Sequence, residues 1–356
     1  MDASGADRQP ARKPHQPTRR EALEGITREL EVVPVESARV EAERLLALAV
    51  GVERPELLLA LDLPLESDEA LRLARSTRRR VAGEPLQHIE ATVQFRDLVL
   101  LADARALVPR PETEQLVDRI AIWARGRAAS DGAADGPGDG AADGPGDREG
   151  QDRGSARPVE RPKSGGDPTG ASAEEEGAGG EAILSSALDI GTGSAAIALS
   201  LVREGIVRRV VGLDSSAAAL EQAAENRTRC GLTEKEVELR AVDRSLWDAV
   251  AATERFDVIV SNPPYVTAAE MAELSAEVLR DPPEALLGGE DGLDIIREIV
   301  RGAWYRLAPG GALFLEIGER QGASVKKLLE GAHPWLRVAV EPDLAGKDRF
   351  AFAQKP

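Results

Sequence analysis

Cysteine is almost missing from this chain. Cys230 is the only one in 356 residues, so no internal disulfide can form and a reducing compartment is expected. Histidine is nearly as scarce, and His15, His88 and His333 are too widely separated for metal-ligand spacing. His88 is expected to pack inside, and His333, beside Pro334, to sit on a surface turn. Aromatic residues make up 3% of the chain, too few for a base-stacking surface. Positive charge is also in deficit. A formal net charge of −17 is opposite to the basic footprint that a nucleic-acid coat requires. Long apolar runs are absent, the most apolar (Ala195 to Val202) being too short to cross a bilayer. The polar N-terminal residues contain no signal-peptide core. These absences lead to an expectation of a cytoplasmic protein with no metal, no membrane and no direct nucleic-acid partner.

Two stretches lack the apolar side chains that folding needs. Residues 1–18 read as a disordered tail. Residues 126–181 read as a disordered acidic insert of Gly, Ala, Asp and Pro, in which Gly-Ala-Ala-Asp-Gly-Pro-Gly-Asp occurs twice in tandem, at 132–139 and 140–147. Such a segment cannot bury enough area to offset its ordering entropy, and its length adds little to the cost of closing the loop.

The rest is well patterned. Residues 19–88 contain four amphipathic helical stretches, with Leu23, Ile26 and Leu30 at helical spacing in the first. Ser37 and Gly51 bracket the second, Pro55 opens the third, and Ser67 starts the fourth. Arg72, Arg75, Arg78, Arg79 and Arg80 are expected on a solvated face. Within 89–125, Val93–Phe95 and Leu98–Leu101 read as a hairpin, and Pro111 begins a helix with Leu116, Val117 and Ile120 on one face. Residues 182–356 alternate strand and helix, the pattern of a doubly wound α/β domain.

In this last region two motifs carry chemistry. In the first, the strand around Leu188 and Asp189 runs into Gly191-Thr192-Gly193-Ser194-Ala195 and then a helix, a glycine turn that lets backbone approach a ligand. Asp214 ends the next strand, where an acid bonds a ribose hydroxyl pair, and Asp243 follows the third. Dinucleotide sites share this geometry, but the turn starts with an acid, Asp189, suited to a cationic aminoacyl end. The second motif is Asn262-Pro263-Pro264-Tyr265, directly after the apolar run Phe256–Val260. Prolines end the strand and stiffen the corner. The Asn262 side-chain oxygen and the Pro263 carbonyl can then accept both hydrogens of a planar –NH2 group, with Tyr265 as an aromatic wall.

Together these features resemble the site of class I S-adenosylmethionine methyltransferases that act on nitrogen. The chain is similar to the release-factor glutamine methyltransferases, the HemK/PrmC family, from about Arg20 to Gln354. The matching segments include Pro109-Arg110-Pro111-Glu112-Thr113-Glu114, Asn262 to Tyr265, Glu284 to Leu293, and Asp343 to Arg349. The resemblance implies a Rossmann-like seven-stranded domain with its last strand antiparallel, a hairpin linker, and a helical N-terminal domain that meets the release factor. It implies methyl transfer from S-adenosylmethionine to the glutamine of the Gly-Gly-Gln motif of class 1 peptide chain release factors. By position, Asp189, Gly191 to Ala195 and Asp214 would hold the cofactor, with Asp243 and Arg244 at the adenine edge and Asn262 touching both ligands. Asn262, Pro263, Pro264 and Tyr265 would hold the substrate. Ala195 replaces a glycine of the family, and Asp281 stands where a glutamate is usual. A DNA or RNA adenine amino-methyltransferase and a non-catalytic binder are the alternatives; charge and aromatic content count against the first, the intact motifs against the second.

Overall fold

The computed structural model describes residues 16–35, 37–134 and 182–356, and the side chains of these except 130–134. The expected tail up to residue 15 and the insert from 135 to 181 lie outside the described residues.

Helices α1 (Arg19–Leu30), α2 (Ala38–Val50), α3 (Arg54–Leu59), α4 (Ser67–Val81) and α5 (Leu86–Glu90) form the N-terminal bundle. Thr18 already belongs to it: its hydroxyl accepts from the Glu21 N–H while the Glu21 carboxylate accepts from the Thr18 N–H, a capping box that starts α1. The core holds Leu23, Leu30, Leu45, Leu46, Leu57 and Leu73. α5 was not legible as a helix, being one turn long between Pro85 and Ala91.

The arginine run departs from expectation at one residue. Arg80 is 2% exposed, and its guanidinium pairs with Glu41 at 2.6 Å and with Glu277 of the C-terminal α/β domain at 2.8 Å. A guanidinium can be buried when its donors all find acceptors, and the Glu84 carbonyl takes a third at 3.0 Å. Removing it strands two carboxylates that are themselves largely covered. Arg80→Met is therefore expected to cost about 3 kcal/mol, read as a lower denaturant midpoint with an unchanged slope.

A hairpin, β1 (Thr92–Phe95) and β2 (Leu98–Leu101), leads to α6 (Pro111–Ala134), which runs past the expected boundary at 125. The α/β domain is built from β3 (Leu184–Ile190), α7 (Ala196–Arg203), β4 (Val207–Asp214), α8 (Ala217–Arg229), β5 (Val237–Ala241), β6 (Phe256–Ser261), α9 (Asp294–Arg306), β7 (Leu307–Glu316), α10 (Gly322–Ala332), β8 (Arg337–Pro342) and β9 (Asp348–Gln354). The strand order is β5-β4-β3-β6-β7-β9-β8. β9 runs antiparallel to both its neighbours, and the other pairs are parallel. Central strands read as continuous apolar runs because both faces are covered. One face packs Val258, Val260 and Phe314 under α6 and α7, and the other packs Ile259, Leu313 and Leu315 under α9 and α10. His333 is not a simple surface turn residue, because its ring stacks on Trp304 at 5.3 Å between centroids and meets Trp335 edge-on.

The chain leaves β3 toward β4 on one side and reaches β6 on the other, so the β3–β6 boundary is the sheet's switch point, the place where open α/β sheets bind ligands.

Candidate active site

Register places the two sequence motifs side by side. Ile190 pairs with Ser261 across the switch point and with Leu213 on the other side. The next residues are therefore Asp214, Gly191 and Asn262, on three adjacent strand ends about 4.8 Å apart. The Ser261 hydroxyl donates to the Ile190 carbonyl at 2.6 Å, fastening the two strand ends.

The glycine turn is built from within. Gly191 and Gly193 both have positive φ, 69° and 55°. Asp214 accepts the Gly193 N–H at 2.8 Å through one carboxylate oxygen and the Ser216 N–H at 2.9 Å through the other. A turn amide committed to a carboxylate is poorly placed to hold pyrophosphate, which removes the main attraction of the site for a dinucleotide. Burial pushes the Asp214 carboxyl above its ordinary range.

Asp189 lies beneath the turn rather than in the cleft. It is fully buried, its carboxylate accepts the Thr192 hydroxyl at 2.7 Å, and burial pushes its pKa up to about 7. Its other oxygen, Oδ1, has no partner among the described residues. Between the ordinary value of 3.8 and about 7, the folded chain holds a proton there that the unfolded chain has released, so this group's contribution to stability falls as pH rises through that window. Asp189→Asn is expected to gain stability relative to the parent as pH goes from 4 to 7, checked by urea melts at both ends of the window.

Thr192, Ser194 and Ala195 are buried with Asp189. Ala195 adopts φ 65°, which explains why a glycine suits this position; its methyl is nevertheless fully buried, so packing offsets backbone strain. Asp243 and Arg244 do not reach the cleft, with side chains 95% and 87% exposed. They follow β5, an edge strand with one neighbour, so no second strand end folds them inward. Leu107, Ser215, Leu246, Glu284 and Ile295 line the cleft without having been singled out from sequence. Leu107 was reachable, as it opens the segment leading to Pro109, Arg110 and Pro111.

A cleft opens at these strand ends. Gly191, Gly193, Asp214, Asn262, Pro263 and Pro264 all line it. A second cleft adjoins it, lined by Arg110, Asn262, Pro263, Tyr265, Leu274 and Val278. Asn262 and Pro263 are thus walls of both. Among the described residues, no N–H or O–H donates to Asn262 Oδ1 or to the Pro263 carbonyl. Tyr265 is on the second side, its phenol pushed up to about 12 by burial.

The corner is held from outside. The Val266 N–H donates to the Leu286 carbonyl and the Gly288 N–H to the Val266 carbonyl, at 2.9 and 2.8 Å. Gln321 Nε2 donates to the Tyr265 and Gly292 carbonyls at 3.0 and 3.1 Å. Asp281, buried, accepts from Arg110 at 2.6 Å, tying the substrate-side loop to the segment before α6.

A seven-stranded sheet with one antiparallel strand, a glycine turn with an acid on the neighbouring strand end, and a proline-locked asparagine beside it define a class I S-adenosylmethionine-dependent methyltransferase. Comparison with known proteins narrows this. Residues 184–301 match a model described as a methyltransferase domain, and residues 21–90 one described as the PrmC N-terminal domain. The release factor glutamine methyltransferase of Cereibacter sphaeroides is 34% identical over 337 residues, covering 94% of this chain and 98% of that protein. Its counterpart in Deinococcus radiodurans is 33% identical, covering 94% and 98%. That of Moorella thermoacetica is 33% identical, covering 95% and 99%. The chain belongs to the release factor glutamine methyltransferase family. Among solved structures, the hMettl16 catalytic domain in complex with MAT2A 3'UTR hairpin 1 shares the fold, with a TM-score of 0.50 over 87% of this chain and 90% of that one at 14% identity. No helix among the described residues is long and apolar enough to cross a membrane.

Proposed function

We propose that this chain methylates the side-chain amide nitrogen of the glutamine in the Gly-Gly-Gln motif of class 1 release factors, in the cytoplasm, with S-adenosylmethionine as donor. The observation that carries the reading is the double exposure of Asn262 and Pro263. They face the cleft at the glycine turn on one side and a second cleft on the other, with two acceptors left unpartnered among the described residues.

The residues present fit the donor. The apolar walls Ile190, Leu213 and Leu246 suit an adenosine, the glycine turn allows close approach, and Asp214 stands where a ribose diol would be bonded. When bound, S-adenosylmethionine supplies an electrophilic methyl group. The protein's task is to make a poor nucleophile react. An amide nitrogen shares its lone pair with its carbonyl, so it must be oriented and its electron density restored. Asn262 Oδ1 and the Pro263 carbonyl accept its two hydrogens, which aims the nitrogen at the first cleft and strengthens both bonds as positive charge develops there. Alignment supplies much of the remaining acceleration. Tyr265 and Leu274 line the second cleft. Release of the surplus proton to solvent needs no side-chain base.

Purified chain is to be given methyl-labelled donor with a class 1 release factor and, separately, with duplex DNA. Label is expected on the release factor alone. Label on DNA adenine would turn the reading toward a nucleic-acid amino-methyltransferase, for which the charge of −17 offers no support.

A further inference from the structure

Asn262 can serve only one way round. A carboxamide has an oxygen and an –NH2 of nearly the same shape, and hydrogen bonding alone decides which faces the substrate. If the –NH2 faced the second cleft it would meet the substrate's own –NH2, donor against donor.

The structure contains a device that fixes the choice. Asn262 Nδ2 donates to the Thr113 hydroxyl oxygen at 3.2 Å, and the Thr113 hydroxyl donates to Glu316 Oε2 at 2.8 Å. The three residues come from different elements: the end of β6, the first turn of α6 and the end of β7. Thr113 and Glu316 are 3% and 2% exposed, so solvent does not compete. An ionised carboxylate accepts only. It claims the Thr113 proton, which leaves the Thr113 oxygen able only to receive, and the one carboxamide group that can give is Nδ2. Oδ1 is left facing the clefts.

Resting on the glutamine-methylation reading, we infer that Thr113 and Glu316 are positioning residues, a two-bond relay that sets the rotamer of the Asn262 amide and so its ability to accept from the substrate. Glu316 is held by more than Thr113. Arg349 and Arg110 face it as cations and Glu112 as an anion, with the Tyr265 phenol nearby. Burial pushes the Glu316 carboxyl up to about 7, against the hydrogen bond from Thr113 that lowers it, so the relay runs in this sense above about pH 7, where the carboxylate accepts, and is lost below it, where a protonated Glu316 can itself donate to Thr113.

The test uses a pair of substitutions that separate the hydroxyl from the methyl. Thr113→Val keeps the shape and removes the hydroxyl; Thr113→Ser keeps the hydroxyl and removes the methyl. With release factor as substrate, Thr113→Val is expected to lower kcat roughly 10- to 100-fold, the size of a lost general contribution to transition-state alignment, with donor affinity by calorimetry within about threefold of the parent. Thr113→Ser is expected to restore most of kcat. A packing role predicts the reverse order, Ser worse than Val, and that order overturns the relay. A second readout does not depend on turnover. The Asn262 carboxamide protons, assigned by their disappearance in Asn262→Ala, should exchange slowly in the parent and in Thr113→Ser and rapidly in Thr113→Val. Equal exchange in all three overturns the relay even if no methyl reaches the release factor, while slow exchange without methyl transfer supports the relay and removes the glutamine reading.

Discussion

Asn262→Ala is expected to lower kcat on release factor by about 10²–10³, a loss of roughly 3–4 kcal/mol of transition-state stabilisation, while donor affinity stays within about threefold. The asymmetry follows from where the side chain sits. Gly191, Gly193 and Asp214 remain in the wall of the first cleft, with the apolar side chains of Ile190, Leu213 and Leu246. What goes is one of the two acceptors proposed for the substrate nitrogen, together with the donor that Thr113 receives on the cleft side. The Pro263 carbonyl survives the change, so activity should not vanish. Steady-state kinetics with calorimetry of donor binding check both halves. A variant that retained parental turnover would take Asn262 out of the mechanism.

Gly288→Ala should be nearly as damaging although residue 288 lines neither cleft. A methyl added there would lie 2.5 Å from the Pro264 carbonyl oxygen and 2.9 Å from the Tyr265 Cα. Both neighbours are backbone and cannot rotate away. Gly292 is in the same position, its added methyl 2.3 Å from the Tyr265 carbonyl oxygen at a φ of 73°. The glycine pair in this segment is therefore explained by close approach to the proline-locked corner, whose backbone must move if either gains a side chain. A displacement of about 1 Å at a reacting group can cost on the order of 10²-fold, and overpacking adds a stability loss of about 1–3 kcal/mol. Gly331→Ala is the matched control. It makes the same chemical change in α10, where nothing lies within 4 Å, and should leave turnover untouched and raise stability by up to about 1 kcal/mol. Equal activity in Gly288→Ala and Gly331→Ala would mean that the corner is not position-critical.

Much of the architecture could be read in advance because local signals agreed with tertiary ones. β6 begins where the apolar run at Phe256 does, and the prolines after Ser261 leave the strand no way to continue. Ser37 and Gly51 cap α2 as their chemistry suggests, with Gly51 at φ 81°. What sequence could not supply was depth. Asp189 and Asp214 look alike at two strand ends, yet one is sealed beneath the turn and the other lines the cleft, because Asp189 pairs with Gly212 and so sits two positions deeper in the sheet than Asp214. Arg80 is indistinguishable in sequence from Arg78 and Arg79; only the arrival of Glu277 from about two hundred residues away makes it a buried clamp. Asp243 and Arg244 were placed by position in a motif, and the edge location of β5 leaves them in solvent. Thr113 was quoted in a motif without a task, because its partners Asn262 and Glu316 are 149 and 203 residues away along the chain.

The central claim is that a corner shared by two clefts presents two acceptors to a carboxamide nitrogen. It is tested most directly by fragment-ion mass spectrometry of the Gly-Gly-Gln peptide after incubation of a release factor with donor and either the parent chain or Asn262→Ala. A mass gain of one methylene confined to the glutamine side chain is expected with the parent, and little or none in the same time with the variant. A gain located on any other residue, or an equal gain with both proteins, would contradict it.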